Sequence, residues 1–257
     1  MSCLSNITHL KELMSDVIYG RNSVEEFLLS NRDLDKVYID NKLRGDFEKR
    51  IRKLTKDRSI PLIKVPKEKL DKEIRKDHQG ILAFVSPIAF VDLDDVISQV
   101  YEKNEQPLLL VLDGITDVRN LGAIARSAYV FGAHALVIGT KGTARINDDA
   151  MKASSGALSH IPVCRENGMS VIIEKLKHNG IPIVATTSSD AIPLDESTFD
   201  GAIAVVIGDE GRGVSDFVLA NCDTKVMISQ RRDFDSLNAS VAAGIVLYEI
   251  SKNRLTK

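Results

Sequence analysis

Three polar stretches of the sequence carry side chains that could bind an anion or handle a proton, and each follows an apolar stretch. They read DGITDVRNLGAIARSA (113–128), GDEGRG (208–213) and QRRDFDSLNAS (230–240). Their reactive or hydrogen-bonding side chains include Asn120, Arg126, Glu210, Ser236 and Asn238. Arg126 stands among small residues, so it is either a solvated charge or a contact to an anionic ligand. Asn120, Ser236 and Asn238 could instead serve only as helix caps, because such side chains accept hydrogen bonds from the first turn of a helix.

The second stretch places three glycines around Glu210, at Gly208, Gly211 and Gly213. Glycine lets a backbone approach a ligand closely, although the same residues would also suit a tight turn between a strand and a helix. Their order is G-x-x-G-x-G, which differs from the G-x-G-x-x-G of dinucleotide sites. The sequence contains no Walker A motif, so nothing indicates hydrolysis of a nucleoside triphosphate.

The second half of the chain, from Pro107 onward, has the pattern of a parallel sheet. Continuous apolar segments alternate with helical segments, as expected for strands that are covered on both faces. The predicted strands are 108–112, 135–139, 182–186, 202–208 and 225–229. Because ligands bind beyond the carboxyl ends of the strands in such a sheet, we expect the three polar stretches to meet there.

The first part of the chain is predicted to form a separate small unit of mixed helices and strands. We expect helices at 23–30, 45–57 and 67–76 and strands at 36–40, 61–65 and 80–86. Ser23 followed by Glu26 is typical of a capping box at the start of the first helix. The predicted fold class is therefore α/β, with a small domain (1–86), a linker that contains one helix (87–106) and a larger domain (107–257).

Composition indicates a globular protein, with 44 % hydrophobic and 27 % charged residues and a formal net charge of −2. The charge is unevenly distributed, because residues 42–76 contain fourteen Lys or Arg and six Asp or Glu. Three cysteines without ligand spacing indicate a reducing, cytoplasmic location, and His134 and His160 have no partners that suggest a metal site. No stretch resembles a signal peptide or a membrane span, so no membrane association is expected.

The segments NLGAIARSA, VVIGDEGRGVSD and SLNASVAAGIVLYE together resemble the three motifs of the SpoU, or TrmH, family of RNA ribose 2′-O-methyltransferases. Two further segments, YGRNSVEEFL (19–28) and HQGILAFV (78–85), are similar to the borders of the small RNA-binding domain in the branch that modifies guanosine in 23S ribosomal RNA. That domain resembles ribosomal protein L30e. The resemblance implies a C-terminal SPOUT-type sheet with a deep trefoil knot, through which two copies form a homodimer.

The resemblance also assigns a cofactor and a set of site residues. It implies S-adenosylmethionine as the methyl donor and RNA as the partner, which in the guanosine branch is 23S ribosomal RNA. The implied cofactor-binding positions are Thr186, Thr187, Gly208, Gly211, Ile228 and Leu237. The implied catalytic positions are Asn120, Arg126, Glu210, Ser236 and Asn238. One departure from the family is the charged segment QRRDFD (230–235), where members commonly have an apolar segment that contains proline.

The implied reaction is an in-line attack of a ribose 2′-hydroxyl on a sulfonium methyl group. The family mechanism makes Arg126 the general base, whereas a guanidinium that keeps its proton up to about pH 12 suits a grip on phosphate or on developing alkoxide charge. Glu210 either forms an ion pair with Arg126 or supports its own loop. Ser236 and Asn238 would hold the ribose or relay its proton.

RNA is the expected substrate because DNA lacks the 2′-hydroxyl. The basic segment 42–76 would then contact phosphates, or it is a solvated face with ion pairs along its helices. Two other functions remain open for the same fold, namely methylation of transfer RNA and RNA binding without catalysis. A Rossmann-type oxidoreductase is disfavoured, since no glycine fingerprint follows the first strand of the larger domain.

Overall fold

The computed structural model describes residues 17–30, 32–188, 190–231 and 236–255. The chain divides into two compact units, one ending at Ala89 and the other beginning at Phe90. We describe each unit separately. The expected features at 1–16 and 232–235, which include most of the charged segment at 230–235, lie outside the described residues.

The first unit alternates strands and helices around a four-stranded sheet within its described residues. Its elements are β1 (Val17–Tyr19), α1 (Arg21–Leu29), β2 (Leu34–Asp40), α2 (Asp46–Asp57), β3 (Leu62–Val65), α3 (Lys67–Glu73) and β4 (Ile81–Val85). The strand order is β1-β4-β2-β3, and β2 runs parallel to β3 and antiparallel to β4. Apolar side chains of α1 and α2 pack on one face of this sheet, and Leu70 of α3 packs on the other.

The first helix of this unit begins earlier than the sequence pattern predicts. Its N-cap is Gly20 with φ 87°, and no side chain caps the helix. The predicted capping box of Ser23 and Glu26 is therefore wrong, because both residues already lie inside α1. Glycine is favoured at this position because its backbone is left-handed.

The second unit contains an eight-stranded, entirely parallel sheet within its described residues. Its strands are β5 (Phe90–Val91), β6 (Leu108–Asp113), β7 (Ala135–Gly139), β8 (Val163–Glu166), β9 (Ile183–Thr186), β10 (Ile192–Pro193), β11 (Ile203–Gly208) and β12 (Thr224–Met227). Its helices are α4 (Leu93–Glu102), α5 (Val118–Val130), α6 (Asp148–Ala153), α7 (Met169–His178), α8 (Asp216–Leu219) and α9 (Ala239–Leu255). The order of the strands is β10-β12-β9-β11-β6-β7-β8-β5. The α/β class and the parallel sheet are confirmed.

The segment 87–106, expected to be a linker, is largely part of this second unit. Its strand β5 pairs with β8, and its helix α4 places Leu93, Ile97 and Val100 in the main hydrophobic core. The correction has a physical reason, since α4 buries an apolar face that a free connector would leave in water.

Helix α5 carries two of the predicted site residues, and it lies very close to α6. A Cβ atom built on Gly122 would lie 2.5 Å from Cβ of Ala153 and 2.8 Å from the carbonyl oxygen of Ala150. Contacts this short require one helix to move. Gly122 is thus the residue that allows α5 to adopt its position.

We expect Gly122→Ala to lower the free energy of unfolding by about 1–3 kcal/mol, because the added methyl overpacks the contact between α5 and α6. The measurement is denaturant unfolding followed by circular dichroism. Gly244→Ala is a matched control, since Gly244 also lies inside a helix but its Cβ would meet Ser127 Oγ at an ordinary 3.7 Å. That control should be neutral, or stabilising by up to about 1 kcal/mol. Equal effects of the two substitutions would contradict the packing argument.

The last turn of α9 is attached to the starts of two central strands by Arg254. Its guanidinium donates hydrogen bonds to the carbonyl oxygens of Gln106 at 2.8 Å, Pro107 at 3.3 Å and Gly201 at 2.6 Å. The guanidinium supplies hydrogen-bond donors to these three carbonyl oxygens. Its positive charge is also favourable at the C-terminal end of a helix, where the helix dipole is negative. The C-terminal helix is therefore held at the edge of the sheet where β6 and β11 begin.

Candidate active site

The polar stretches after β6 and β11 begin side by side at the carboxyl edge of the sheet. Asp113 at the end of β6 and Gly208 at the end of β11 are register partners in the parallel pair. Helix α5 follows the first strand, and a short loop follows the second. Their convergence is what the rule for ligand sites in parallel sheets predicts.

Glu210 connects all three polar stretches. Its carboxylate Oε1 accepts a hydrogen bond from Asn120 Nδ2 at 2.8 Å, a second from Asn238 Nδ2, and a third from the backbone N–H of Ala239 at 3.3 Å. Its backbone oxygen accepts from Ser236 Oγ at 3.2 Å. The structure therefore brings four of the five predicted catalytic residues into direct contact.

The two asparagines are also bonded to each other, since Asn238 Nδ2 lies 3.1 Å from Asn120 Oδ1. Asn238 Oδ1 accepts from the backbone N–H groups of Ser240 and Val241, so Asn238 caps α9. The expectation that Ser236 is this cap is wrong. The cap of α5 is Asp117, not Asn120, and this leaves the amide of Asn120 available to Glu210.

Two aspartates that the sequence analysis overlooked hold the loop that carries Glu210. Asp209 Oδ1 accepts hydrogen bonds from the backbone N–H of Gly211 at 3.0 Å and of Arg212 at 3.3 Å. Asp113 Oδ2 accepts from the backbone N–H of Ser215 at 2.8 Å, across from the neighbouring strand. Their position directly after buried strands, at the carboxyl edge of the sheet, was the signal that could have identified them.

Arg126 does not join this group in the single chain. Six residues of helix separate it from Asn120, which corresponds to about 9 Å along the axis and about 120° around it. Arg126 is exposed, and its Nη1 donates to Ser155 Oγ at 3.2 Å. Of the two roles expected for Glu210, its contacts with the asparagines favour support of the loop over an ion pair with Arg126.

A cavity of about 360 Å³ opens beside Glu210, within the range of about 300–1,000 Å³ that is usual for ligand pockets. All six predicted cofactor-binding residues line it, namely Thr186, Thr187, Gly208, Gly211, Ile228 and Leu237. A larger cavity of about 560 Å³ lies near Leu108, at the opposite edge of the sheet. None of the predicted residues lines that cavity, so the smaller one is the candidate site.

Gly208 sets the shape of the cavity. A Cβ atom on this residue would overlap the backbone of Gly213 and Val214, so no other residue fits without displacing the loop. The loop crosses directly over the end of β11 for this reason. Apolar walls come from Val214, Leu219 and Ile228, and hydroxyl groups come from the threonines at the end of β9.

Cys164 and Lys175, two other side chains that could do chemistry, are held in structural roles. Burial raises the pKa of Cys164 to about 12, and nearby carboxylates add to this shift, so its thiol stays protonated. Lys175 is held by Asp92, Asp94 and Glu166 as a structural ion-pair cluster. Within the part of the chain that the structure describes, no cluster of three or more His, Cys, Asp or Glu could hold a metal ion. No described helix has the length and apolar composition that crossing a membrane requires.

Models of known protein families match the sequences of both units. The model of the SpoU rRNA methylase family matches residues 107–248, which is more than half of the chain. The chain belongs to this family. A second model, described as RNA 2′-O ribose methyltransferase substrate binding, matches residues 17–91. The protein is thus an RNA ribose 2′-O-methyltransferase of the SpoU/TrmH type.

Similar proteins match from about two thirds to nearly all of this chain. A Bacillus subtilis protein, named as a TrmH family tRNA/rRNA methyltransferase, is 37 % identical over 93 % of this chain and 96 % of its own length. The SpoU methyltransferase AviRb of Streptomyces viridochromogenes, solved with AdoMet, has a TM-score of 0.61 and 23 % identity over 94 % of this chain and 91 % of that one. The A. aeolicus TrmH/SpoU tRNA modifying enzyme has a TM-score of 0.54 and 26 % identity over 64 % of this chain and 85 % of that one.

SpoU methylases use S-adenosylmethionine, and the residues of the candidate cavity fit this group. The loop that crosses over Gly208 closes one side of the cavity, and Thr186 and Thr187 contribute hydroxyl oxygens that can bond the polar parts of a nucleoside or an amino acid. Apolar walls at Ile228 and Leu237 suit a flat base. The cofactor is therefore expected between the end of β9 and the Gly208 loop.

Proposed function

We propose that the protein transfers a methyl group to the ribose 2′-hydroxyl of a guanosine in 23S ribosomal RNA and acts as a homodimer. The observation that carries this proposal is the contact of Asn120, Ser236 and Asn238 with Glu210 beside the cofactor cavity. Support for a ribosomal substrate comes from the first unit, whose sequence matches the substrate-binding model and whose borders resemble the guanosine branch of the family. We retain its likeness to ribosomal protein L30e as a prediction.

The protein contributes mainly by orienting groups. When bound, S-adenosylmethionine supplies a methyl group that its sulfonium already activates, so the protein need not generate an electrophile. Orientation of reactants supplies about 7–11 kcal/mol in favourable cases, whereas a general base contributes about 10²–10⁴-fold in rate. We assign to Glu210 the positioning of the Asn120 and Asn238 amides, and to these amides and Ser236 the holding of the ribose.

Support for a homodimer comes from an exposed apolar stripe on α9. Val241, Ile245 and Tyr248 follow one another at helical spacing and are 38–56 % exposed. Tyr129 and Val130 are also exposed, on α5, which packs against α9. Exposed apolar groups that lie together mark interaction sites in water-soluble proteins. We propose that a second copy covers them.

The dimer gives Arg126 a place in the reaction. Arg126 lies on α5 one turn before Tyr129, so burial of this stripe against a second copy would bring its guanidinium close to that copy. We therefore propose that Arg126 serves the active site of the partner subunit, where it grips the phosphate next to the reacting ribose. Arginine suits phosphate because its planar fork donates two parallel hydrogen bonds.

The trefoil knot expected from the family stays a prediction. Strand β12 lies between β9 and β10, and the chain then returns to α9, which packs on α5 and β11. Residues 232–235, which belong to the return path, lie outside the described residues. The order of the strands is compatible with a threaded C-terminus.

The test is methyl transfer from labelled S-adenosylmethionine to RNA isolated from cells that lack the protein. We expect label in 23S ribosomal RNA, at the 2′-oxygen of one guanosine, as mapped by ribose-methylation sequencing. Label in transfer RNA would show that transfer RNA, and not 23S ribosomal RNA, is the substrate. The name of the Bacillus subtilis relative includes both kinds of RNA. RNA binding without any uptake of label or any binding of the cofactor would identify a non-catalytic RNA-binding protein.

We expect Glu210→Ala to lower kcat for methyl transfer at least about 100-fold, because the amides of Asn120 and Asn238 lose the acceptor that orients them. Glu210→Gln keeps an acceptor oxygen and should retain more activity, with a loss of about tenfold. Glu249→Ala, which removes a carboxylate of α9 paired with Lys252, should leave the rate unchanged. Equal rates of the alanine and glutamine variants would contradict the orienting role.

A further inference from the structure

Some cations of the basic segment 42–76 form ion pairs within the first unit and are therefore less available to bind a ligand. On α2, Arg50 pairs with Glu25 at 2.7 Å and Arg52 pairs with Glu48 at 2.6 Å. Lys64 on β3 lies 3.1 Å from the same Glu48 carboxylate. These three cations are therefore already paired with carboxylates of the first unit.

The opposite face of the sheet carries lysines that lie over aromatic rings. Lys36 Nζ of β2 lies 4.7 Å from the ring centroid of Tyr38 and 5.2 Å from that of Phe84. Lys69 Nζ of α3 lies 5.1 Å from the ring of Tyr38 as well. Farther along, Lys76 Nζ lies 5.2 Å from the ring of Tyr19. We call these three lysines and the rings below them the lysine–aromatic face.

This arrangement brings two like charges together over one ring. Because Lys36 and Lys69 both lie over the ring of Tyr38, their ammonium nitrogens are no more than about 10 Å apart. No ion pair joins Lys36, Lys69 or Lys76 to a carboxylate of the described residues. Each cation–π contact offsets only about 0.5–1 kcal/mol at an exposed site, so the lysines keep most of their capacity to bind an anion.

We propose that the lysine–aromatic face, and not the α2 face, is the surface of the first unit that binds the phosphates of RNA. The proposal rests on the proposed function, since it takes RNA to be the substrate. Rings below the lysines keep the ammonium groups in place, and this preorganisation lowers the cost of ordering them against successive phosphates. The paired cations of α2 would first have to leave their carboxylates, which makes that face the poorer site.

The experiment compares two double variants of the full-length protein, each of which removes two positive charges. Lys36→Met with Lys69→Met alters the lysine–aromatic face, and methionine still packs on the ring of Tyr38. Arg50→Met with Arg52→Met alters α2 and is the matched control. Binding to an unmodified 23S ribosomal RNA transcript and to a poly(U) 20-mer is measured by fluorescence anisotropy from low to high salt.

We expect the lysine variant to reduce the slope of log K against log salt by about 1.4–1.8, which corresponds to two phosphate contacts. Cofactor affinity, measured by calorimetry, should not change, and Lys36→Arg with Lys69→Arg should restore the wild-type slope. The α2 control should leave the slope within about 0.5 of the wild type. Thermal melting by circular dichroism shows whether each variant folds. If the double variant does not fold, Lys69→Met alone tests the face, with an expected change in slope of about 0.7–0.9.

An unchanged slope in the folded lysine variant, or an equal loss in the α2 control, would overturn the assignment. If the wild type methylates RNA while either of these results holds, the proposed function stands and the surface is wrong. If the wild type neither binds RNA nor transfers methyl groups, the proposed function itself fails and this inference fails with it. The assignment would also be overturned if the lysine–aromatic face bound an acidic protein in preference to RNA.

Discussion

Gly208→Ala should abolish measurable binding of S-adenosylmethionine, with an affinity loss of at least about 100-fold. The added methyl would overlap the backbone of Gly213 and Val214, so the loop that forms the roof of the cavity must move. This displacement also moves Glu210 and, through it, the amides of Asn120 and Asn238. Calorimetric titration with the cofactor measures the first effect, and methyl transfer measures the second.

The matched control for this substitution is Gly201→Ala. A Cβ atom on Gly201 would have no neighbour within 4 Å, and its backbone is not left-handed, so the methyl group has room. Both glycines belong to the same unit, and Gly201 lies just before β11, whereas Gly208 is its last residue. If Gly208→Ala bound the cofactor as well as Gly201→Ala does, the cavity would not be the cofactor site.

Arg126→Ala should leave cofactor binding intact and lower the rate of methyl transfer by about 10²–10⁴-fold, as expected for loss of a charged group that acts in the transition state. Among the described residues, Arg126 donates a hydrogen bond only to the exposed Ser155 hydroxyl, so its removal should not unfold the protein. Arg126→Lys should recover part of the rate if the role is a grip on phosphate, because the positive charge remains. Lys177→Ala, which removes an exposed cation of α7, should have no effect.

Mixing two inactive variants would show which subunit Arg126 serves. A dimer that contains one Arg126→Ala chain and one Glu210→Ala chain has a complete site only if Arg126 acts across the interface. We expect co-expressed, doubly tagged heterodimers to recover about half of the wild-type rate, since one of their two sites is whole. No recovery would place Arg126 in its own subunit's site, and near-normal rates in Arg126→Ala alone would remove it from the reaction.

The sequence predicted the parallel sheet well because its central strands are continuous apolar segments. Leu108, Leu110 and Leu112 are completely or almost completely buried, and no polar residue interrupts the run. Strands β5, β8 and β10 were missed, because β5 and β10 are only two residues long and β8 contains charged residues. Arg165 of β8 is buried over the ring of Phe90 at 3.8 Å, and Glu166 is satisfied by Lys175. Such pairing depends on tertiary structure, and hydrophobic periodicity does not reveal it.

The sequence predicted which residues belong to the candidate site, but not the hydrogen bonds that join them. The rule for strand ends indicated that Asn120, Glu210 and Asn238 would meet, and they do. It could not show that Glu210 is the common acceptor, because its partners are 90 and 28 positions away in the chain. Helical spacing alone already separates Asn120 from Arg126 around α5, and this clue was available from the sequence.

We expect the attachment of Arg254 to influence catalysis, although it lies far from the candidate site. Asn238 begins α9 in the active site, and Arg254 fastens the other end of the same helix, about 24 Å away, to the opposite edge of the sheet. A helix behaves as a stiff rod. Loss of the hydrogen bonds of Arg254 at its C-terminal end should therefore also shift its N-terminal end and displace the amide of Asn238. Fusions or truncations at the carboxyl terminus should therefore be designed as though they were made in the catalytic pocket itself.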